Sequence, residues 1–263
     1  MSSAFCTDAI GQIHPPFAKG SARIVSLVPS LTELIVDLGL ADSLVGRTGF
    51  CIHPQEVVKT IPKVGGTKDV NLDKIRKLAP THVLLNIDEN EKPVADALAQ
   101  FVPHVVVTHP LTLRDNLDVY RLFGQLFGVE AAAQALCDEF ETVYARFAQS
   151  GTEKQQPPLV YCIWKDPWMT ISASTYIADM LRSSGRTVWH PAGEQRYPAF
   201  SWEDALQAGV GEVWLSTEPY RFQPEHVEAL AAQLGIPVRL ADGEMCSWYG
   251  SRAIAGMRYL MSE

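Results

Sequence analysis

The chain has 263 residues, with 22 Lys and Arg against 30 Asp and Glu, a formal charge of −8 and a sequence pI near 5.4. That acidity argues against a generic nucleic-acid partner, and 47% hydrophobic with 20% charged residues excludes disorder, collagen-like repeats and a small disulfide scaffold. No run reaches the ~18–20 consecutive apolar residues of a membrane-spanning helix, because Asp37, Asp42, Asp88 and similar charges interrupt each candidate, so the chain is not expected to be membrane-embedded.

Residues 1–20, MSSAFCTDAIGQIHPPFAKG, have neither the basic start nor the ~7–15-residue apolar core of a secretory signal, and they read as an N-terminal extension. Export by that route is not expected from them. Residues 23–29, RIVSLVP, form a continuous apolar run that ends in Pro and feeds the periodic stretch LTELIVDLG. This predicts a strand leading into a helix, with Ser30 and Glu33 as a capping box and Gly39 as the stop. The alternation continues through LVGRTG, helical HPQEVVKTI and NLDKIRKLA, the strand HVLLNI, the helix EKPVADALAQF and the strand HVVVTH. Near-continuously apolar strands separated by helices predict a parallel sheet covered on both faces. Residues 21–111 are thus expected to form an N-terminal α/β lobe.

Residues 112–150 are helical in pattern with no strand, and Gly124 and Gly128 predict a break before the long segment VEAAAQALCDEFETVYARFAQ. A helix of that length spans about 30 Å at roughly 1.5 Å per residue, enough to link two lobes. The polar stretch SGTEKQQPP marks a boundary. Beyond it, βα alternation resumes in PLVYCIW, helical TYIADMLRSSG, TVWHP, helical SWEDALQAG, EVWLST, helical QPEHVEALAAQLG, VRLAD and a final helix from Ser251. The expected fold class is α/β, two lobes with parallel sheets flanked by helices and joined by one long backbone helix, the C-terminal lobe covering residues 151–263.

An internal echo links the lobes: the segment from Asn71 to Leu85 aligns without gaps on that from Ser201 to Leu215. Each copy has a capping residue, an acid two positions on, a short helix and a strand, which sets Asp73 and Glu203 at equivalent points. An acid in a first helical turn is explained by the macrodipole alone, worth about 0.3–1 kcal/mol. The sharper alternative is a pair of acids that engages basic pockets on a two-fold symmetric partner.

Catalytic motifs are absent: no GxSxG elbow, GxxxxGK[ST] loop, GxGxxG, HExxH or calcium loop occurs. What the chain offers is aromatic and soft-ligand side chains at predicted strand ends. These are Phe50, Cys51 and His53, then Trp164 and Trp168, then Tyr197 and Trp202, then Cys246, Trp248 and Tyr249. Ligands of open parallel sheets sit at the carboxyl ends of the strands, and flat aromatic walls suit a planar or macrocyclic ligand. Any one of these rings is equally explained as core. The five cysteines, Cys6, Cys51, Cys137, Cys162 and Cys246, include no CxxC pair, and no two of His53, His190, Cys51 and Cys246 share metal-ligand spacing. No metal ligand and no intrinsic cofactor are therefore assigned, and Cys162, inside an apolar strand, is expected to be packing.

The ordered series RIVSLVPSLTELIVDLG, VGRTGFCIHP, KVGGTKDVNLDKIRKLAPTHVLL, the long helix, SWEDALQAGVGEVWL and SWYGSR resembles the class III substrate-binding proteins of ABC importers, the helical-backbone metal receptors, and within them the cobalamin-binding branch. The likeness covers about residues 21–260. It implies a non-catalytic, monomeric, periplasmic protein that holds cobalamin or a related corrinoid, haem or a ferric siderophore in a cleft between two lobes. It further implies docking on an ABC permease dimer through two acids, which fall here on Asp73 and Glu203. Phe50 stands where the cobalamin binders have a ligand-contacting Tyr, Trp168 where they have Phe, and Tyr197 where they have Trp. Thr67 and Asn86 replace Trp, and Glu244 and Trp248 lie near positions that are Asp and Arg in that branch. The expected cleft set is Phe50, Cys51, His53, Trp164, Trp168, Tyr197, Glu244, Cys246, Trp248 and Tyr249. A second reading, favoured by the missing export signal, is a cytoplasmic protein on the same fold that stores or processes a metal tetrapyrrole with Cys51, His53 or Cys246 as its axial or catalytic group. A third is an unrelated α/β enzyme.

Overall fold

A computed structural model of the chain describes residues 6–150 and 156–262. They divide into two units, the first drawn from Met1–Pro110, Arg114–Phe140 and Tyr249–Arg252, the second from Leu111–Leu113, Glu141–Trp248 and Ala253–Glu263. Most of the polar stretch after Ser150 lies outside the described residues.

The first unit opens with an antiparallel pair, β1 (Cys6–Thr7) and β2 (Ile13–His14). Its parallel sheet holds β3 (Ile24–Ser26), followed by α1 (Pro29–Asp37), then β4 (Leu44–Arg47) with α2 (Gln55–Val58) and α3 (Leu72–Leu78). Next come β5 (His82–Asn86), α4 (Lys92–Leu98) and β6 (His104–Thr108), and the strand order is β4-β3-β5-β6. Successive strand residues point to opposite faces, so the burial of Val25, Val83 and Val105 together with their neighbours Ile24, Leu84 and Val106 shows that both faces are covered. On one face Val25, Leu27, Val83, Leu85, Val105 and Val107 form a cluster with Ile75 of α3 and Leu98 of α4.

The expected capping box is corrected: α1 begins at Pro29, and Ser30 lies inside it without capping. Proline supplies a preset φ and no N–H to satisfy, so it starts the helix two residues earlier, with Val28 at the cap position. Glu33 instead makes a bidentate pair with Arg252, 2.7 Å to each carboxylate oxygen. The helical region gives α5 (Asn116–Phe127) and the 21-residue α6 (Glu130–Ser150). The break falls at Gly128, whose φ of 65° is left-handed, whereas Gly124 stays within α5.

The second unit contains β7 (Leu159–Cys162), α7 (Tyr176–Ser183), α8 (Trp202–Gln207), β8 (Glu212–Ser216), α9 (Pro224–Leu234), β9 (Val238–Ala241), α10 (Gly243–Ser247) and all but the first residue of α11 (Arg252–Ser262). Its parallel sheet runs β7-β8-β9. TVWHP, expected to extend the alternation, makes one bridge between Val188 and Leu159 and no strand. It is too short before Pro191 to build a ladder. The fold class is otherwise as expected: α/β, with parallel sheets flanked by helices.

The N-terminal hairpin is fastened by Asp8. One carboxylate oxygen accepts the Ile10 and Gln12 amides at 3.1 and 2.9 Å. The other accepts the Val107 amide at 3.0 Å and lies 3.2 Å from His14 Nε2. Beneath the hairpin His82 stacks on His104 at 4.8 Å, His14 meets His104 edge-on at 5.8 Å, and Phe17 and Phe127 close the cluster. Burial first, then the charges of His104 and His14, push the pKa of His82 from its ordinary 6.5 down to about 3. Below pH 6.5 the unfolded chain binds a proton there that the folded chain refuses, so stability is lost as pH falls from 6.5 toward about 3. His82→Phe, which keeps a ring in place, is expected to remove about 2–3 kcal/mol of the loss between neutrality and roughly pH 4. Urea titrations at stepped pH measure it, and parallel losses in both proteins would assign the sensitivity elsewhere.

Candidate functional site

In the first unit the loop after β4 is anchored from below. Arg47 is buried, and its guanidinium donates to the Val58 carbonyl at 2.7 Å and to the Thr48 carbonyl at 3.0 Å. Held so, the loop turns Phe50 outward at 63% exposure and Ile52 at 49%, with His53 half-buried. Ile87, just past β5, adds a third exposed apolar group at 45%. The sheet's carboxyl edge thus carries an apolar rim. Cys51, between Phe50 and Ile52, is fully buried, 3.1 Å from Thr48 Oγ1, and burial raises its thiol pKa. Tyr249 is also buried, beside Thr108 and Ser30, and burial holds its phenol well above the ordinary pKa.

The second unit has its own rim at the carboxyl edge. Trp164, two residues past β7, is 41% exposed with Tyr220 edge-on at 5.4 Å. Trp168 is half-buried, stacked on Phe222 at 5.9 Å and edge-on to Trp202 at 5.1 Å. This loop pairs with the segment that carries Tyr197, through Phe200 N to Trp168 O, Thr170 N to Pro198 O and Ser172 N to Arg196 O at 2.8–3.0 Å. Three expected residues, Trp164, Trp168 and Tyr197, therefore belong to one backbone-tied wall, with Tyr197 37% exposed. Glu244, Cys246 and Trp248 lie on or just after α10. Cys246 is fully buried and its pKa is pushed up to about 12, chiefly by desolvation. Cys162 is buried packing in β7.

Sequence reasoning missed Glu218. It lies two residues past β8 and accepts the Trp248 indole N–H at 2.7 Å and the Ser247 hydroxyl at 2.9 Å. Burial, then Glu244 and Asp242, raises its carboxyl pKa. Its position after a buried strand, between Thr217 and Pro219, was the available signal.

Asp73 and Glu203 occupy matching places. Each is the second helical residue after a capping side chain: Asn71 accepts Lys74 N at 2.9 Å, and Ser201 accepts Asp204 N at 3.1 Å. Both acids are exposed, with Asp73 accepting from Arg76 at 2.9 Å and Glu203 from Gln207 at 3.3 Å. Among the described residues no group of three or more His, Cys, Asp or Glu side chains is arranged to hold a metal ion. None of the described helices is long and apolar enough to cross a membrane.

The fold is parallel α/β, with exposed apolar groups at the strand ends where open sheets of this kind take their ligands. The family model described as periplasmic binding protein matches residues 24–232, and the chain belongs to that family. It is 36% identical over 124 residues, 45% of its length, to the uncharacterized ABC transporter substrate-binding lipoprotein YvrC of Bacillus subtilis, and the match spans 38% of that protein. Among solved structures, the periplasmic vitamin B12 binding protein BtuF of Vibrio cholerae superposes with a TM-score of 0.78 at 18% identity, over 92% of this chain and 95% of that one. The periplasmic heme-binding protein RhuT from Roseiflexus sp. RS-1 does so with 0.76 at 21% identity, over 92% and 97%.

All five cysteines are buried, and the pKa values of Cys51, Cys162 and Cys246 are raised by desolvation. The thiolate is the reactive form. The native protein is therefore expected to resist a chromogenic disulfide reagent for minutes at neutral pH, and to release the full thiol count only in denaturant. Rapid stoichiometric reaction of one native thiol would contradict this placement.

Proposed function

We propose that the chain captures a metal chelate, of the corrinoid, haem or ferric-siderophore class, and presents it to an ABC importer. The observation that carries this reading is the pair of apolar rims, Phe50, Ile52 and Ile87 at one sheet edge, Trp164 and Tyr197 at the other. Water-facing aromatic and branched side chains are unfavourable unless something apolar covers them, at about 25 cal/mol per Å². A flat macrocycle covers such groups well, and the family of the chain supports a carrier role. Ligand contacts are assigned to these exposed groups, and the ligand is cargo and not a resident cofactor. It is assigned a place outside the cytoplasmic membrane, as a monomer; relatives named as periplasmic or as a lipoprotein support the location.

Titrating the purified chain with cobalamin, cobinamide and haemin, followed by Trp fluorescence and ligand absorbance, tests the reading. At least one is expected to bind below about 10 μM, a free energy near −7 kcal/mol. Phe50→Ala should weaken that affinity by about 1–2 kcal/mol. Binding of none of the three would sink the tetrapyrrole assignment.

Asp73 and Glu203 are proposed as the docking pair for the two halves of the permease. Both side chains are exposed, at matching positions, and each has a local partner on its own helix among the described residues. Changing both to Arg is expected to leave ligand affinity within about twofold, because neither is among the exposed apolar groups of the rims, and to abolish uptake through the cognate permease by charge repulsion. Normal uptake by the double variant would remove the docking role.

A further inference from the structure

We propose that residues 6–14 form an acid-released cover for the outer edge of the first unit's sheet, held shut at neutral pH by Asp8 and let go as the histidines beneath it take up protons. β6 is the last strand in the order β4-β3-β5-β6, so one of its sides has no strand partner within that sheet. An edge of this kind presents N–H and C=O groups with which another chain can pair. Here the Val107 amide donates to Asp8 Oδ2 and the Val107 carbonyl accepts the Ala9 amide, both at 3.0 Å. The turn between β1 and β2 thus fills the place of a neighbouring strand. The cover is small and has few ties. Its strands are two residues each, joined by the pairs Cys6–His14 and Thr7–Ile13, and just past it the Phe17 amide donates to the Leu126 carbonyl at 2.7 Å. Ile10 and Ile13 are 59% and 61% exposed, so little apolar burial holds its outer side. Segments with few buried apolar contacts open locally at a lower free energy than the unit around them.

What lies beneath makes that opening sensitive to acid. His14 belongs to the hairpin, whereas His82 and His104 belong to the sheet, and ring centroids are 5.8 Å apart for His14 and His104 and 4.8 Å for His82 and His104. His14 and His82 are fully buried, and among the described residues His14 Nδ1 and His82 Nε2 have no hydrogen-bond partner. A proton placed on either nitrogen finds no acceptor. One carboxylate, that of Asp8, faces this trio, and it already accepts the amides of Ile10, Gln12 and Val107. The remaining neighbours do not relieve the charge. Cys6 of β1 is kept a thiol by burial and by Glu130 of α6. Arg23 is exposed and turns its guanidinium to the carbonyls of Leu78 and Ala79. α5 contributes Phe127 and Gln125, neither of them charged. Lifting the hairpin carries His14 away and lets water reach His82 and His104, so the open form binds protons that the closed form excludes. Opening therefore becomes more favourable as pH falls through the ordinary histidine range. Unfolding of the whole unit gains the same protons at a far greater cost, so the hairpin goes first.

Amide hydrogen exchange of the full chain, followed by NMR at pH 7.5, 6 and 5 and corrected for the intrinsic pH dependence of exchange, gives an opening constant at each amide. Ala9 and Val107 report the cover, and the amides of β3 and β5 report the unit. With His82 at about 3 when covered and at its ordinary 6.5 when released, the opening constant of the cover is expected to be about 30-fold larger at pH 5 than at pH 7.5. At every pH it should exceed the constants of the β3 and β5 amides by about tenfold or more. H82F, which keeps a ring but takes up no proton, is expected to cut the acid rise to about fivefold or less. D8N, whose amide cannot serve both the Val107 and the Gln12 N–H groups, should raise the opening constant at pH 7.5 by about tenfold or more. The proposal is overturned if Ala9 and Val107 open no more readily at pH 5 than at pH 7.5, if their constants equal those of β3 and β5, or if H82F keeps the full rise. Should H82F or D8N fail to fold, the wild-type constants decide alone between a cover that opens separately in acid and one that opens only with its unit.

Discussion

A parallel sheet buried on both faces has no open side, and everything else in this protein follows from that constraint. With helices over each face of β4-β3-β5-β6, strand side chains are consumed by packing whichever way they point. Polar or reactive residues that fall on the strands are drawn into the core with them, as His82 and Cys162 are. The places left for recognition are the loops beyond the carboxyl ends, where strand backbone stops pairing and helix N-termini begin. Phe50 and Ile52 at one sheet, Trp164 and Tyr197 at the other, are exposed because the architecture provides nothing to cover them.

Exposed rings make a binding surface only if they are held. In the first unit this falls to Arg47, whose buried guanidinium ties two backbone carbonyls of the loop. In the second it falls to the short ladder between the Trp168 and Phe200 segments, and to the rings packed behind, Trp168 on Phe222 and on Trp202. Such contacts are each worth about 0.5–1.5 kcal/mol, and together they limit the rotamers available to the wall before a ligand arrives. Preorganised walls bind with less loss of side-chain entropy.

Much of the fold was legible because it rests on local pattern. The apolar runs of β5, β6, β7 and β8 and the caps Asn71 and Ser201 each announce themselves within a few residues. Errors arose where two local signals competed or where tertiary pairing decided. Pro29 outranked Ser30 as a helix start, and TVWHP lacked the length to pair. The β1 and β2 hairpin depends on Asp8 meeting Val107, which residues 6–14 alone cannot foretell. At the site, the identity of the rim rings could be read from sequence but their exposure could not: Phe50 and Cys51 are adjacent, yet one faces water and the other is buried. Glu218 was invisible for the same reason, since its partners are 29 and 30 residues away.

Asp73 and Glu203, the proposed docking pair, occupy positions that folding itself hardly requires. Asn71 and Ser201 already cap their helices, and Asp204 offers α8 a second acid in the same turn. The ion pair from Asp73 to Arg76 is solvent-exposed on both sides, and pairs of that kind contribute about 0–1 kcal/mol. Removing either acid would therefore leave the fold nearly unchanged. Residues with large structural duties cannot be tuned to an outside partner without cost to stability, as the Arg252 pair with Glu33 illustrates by its partial burial and bidentate geometry. Exposed acids at matching places, cheap for the fold to keep or lose, are free to have their positions set by the geometry of a partner.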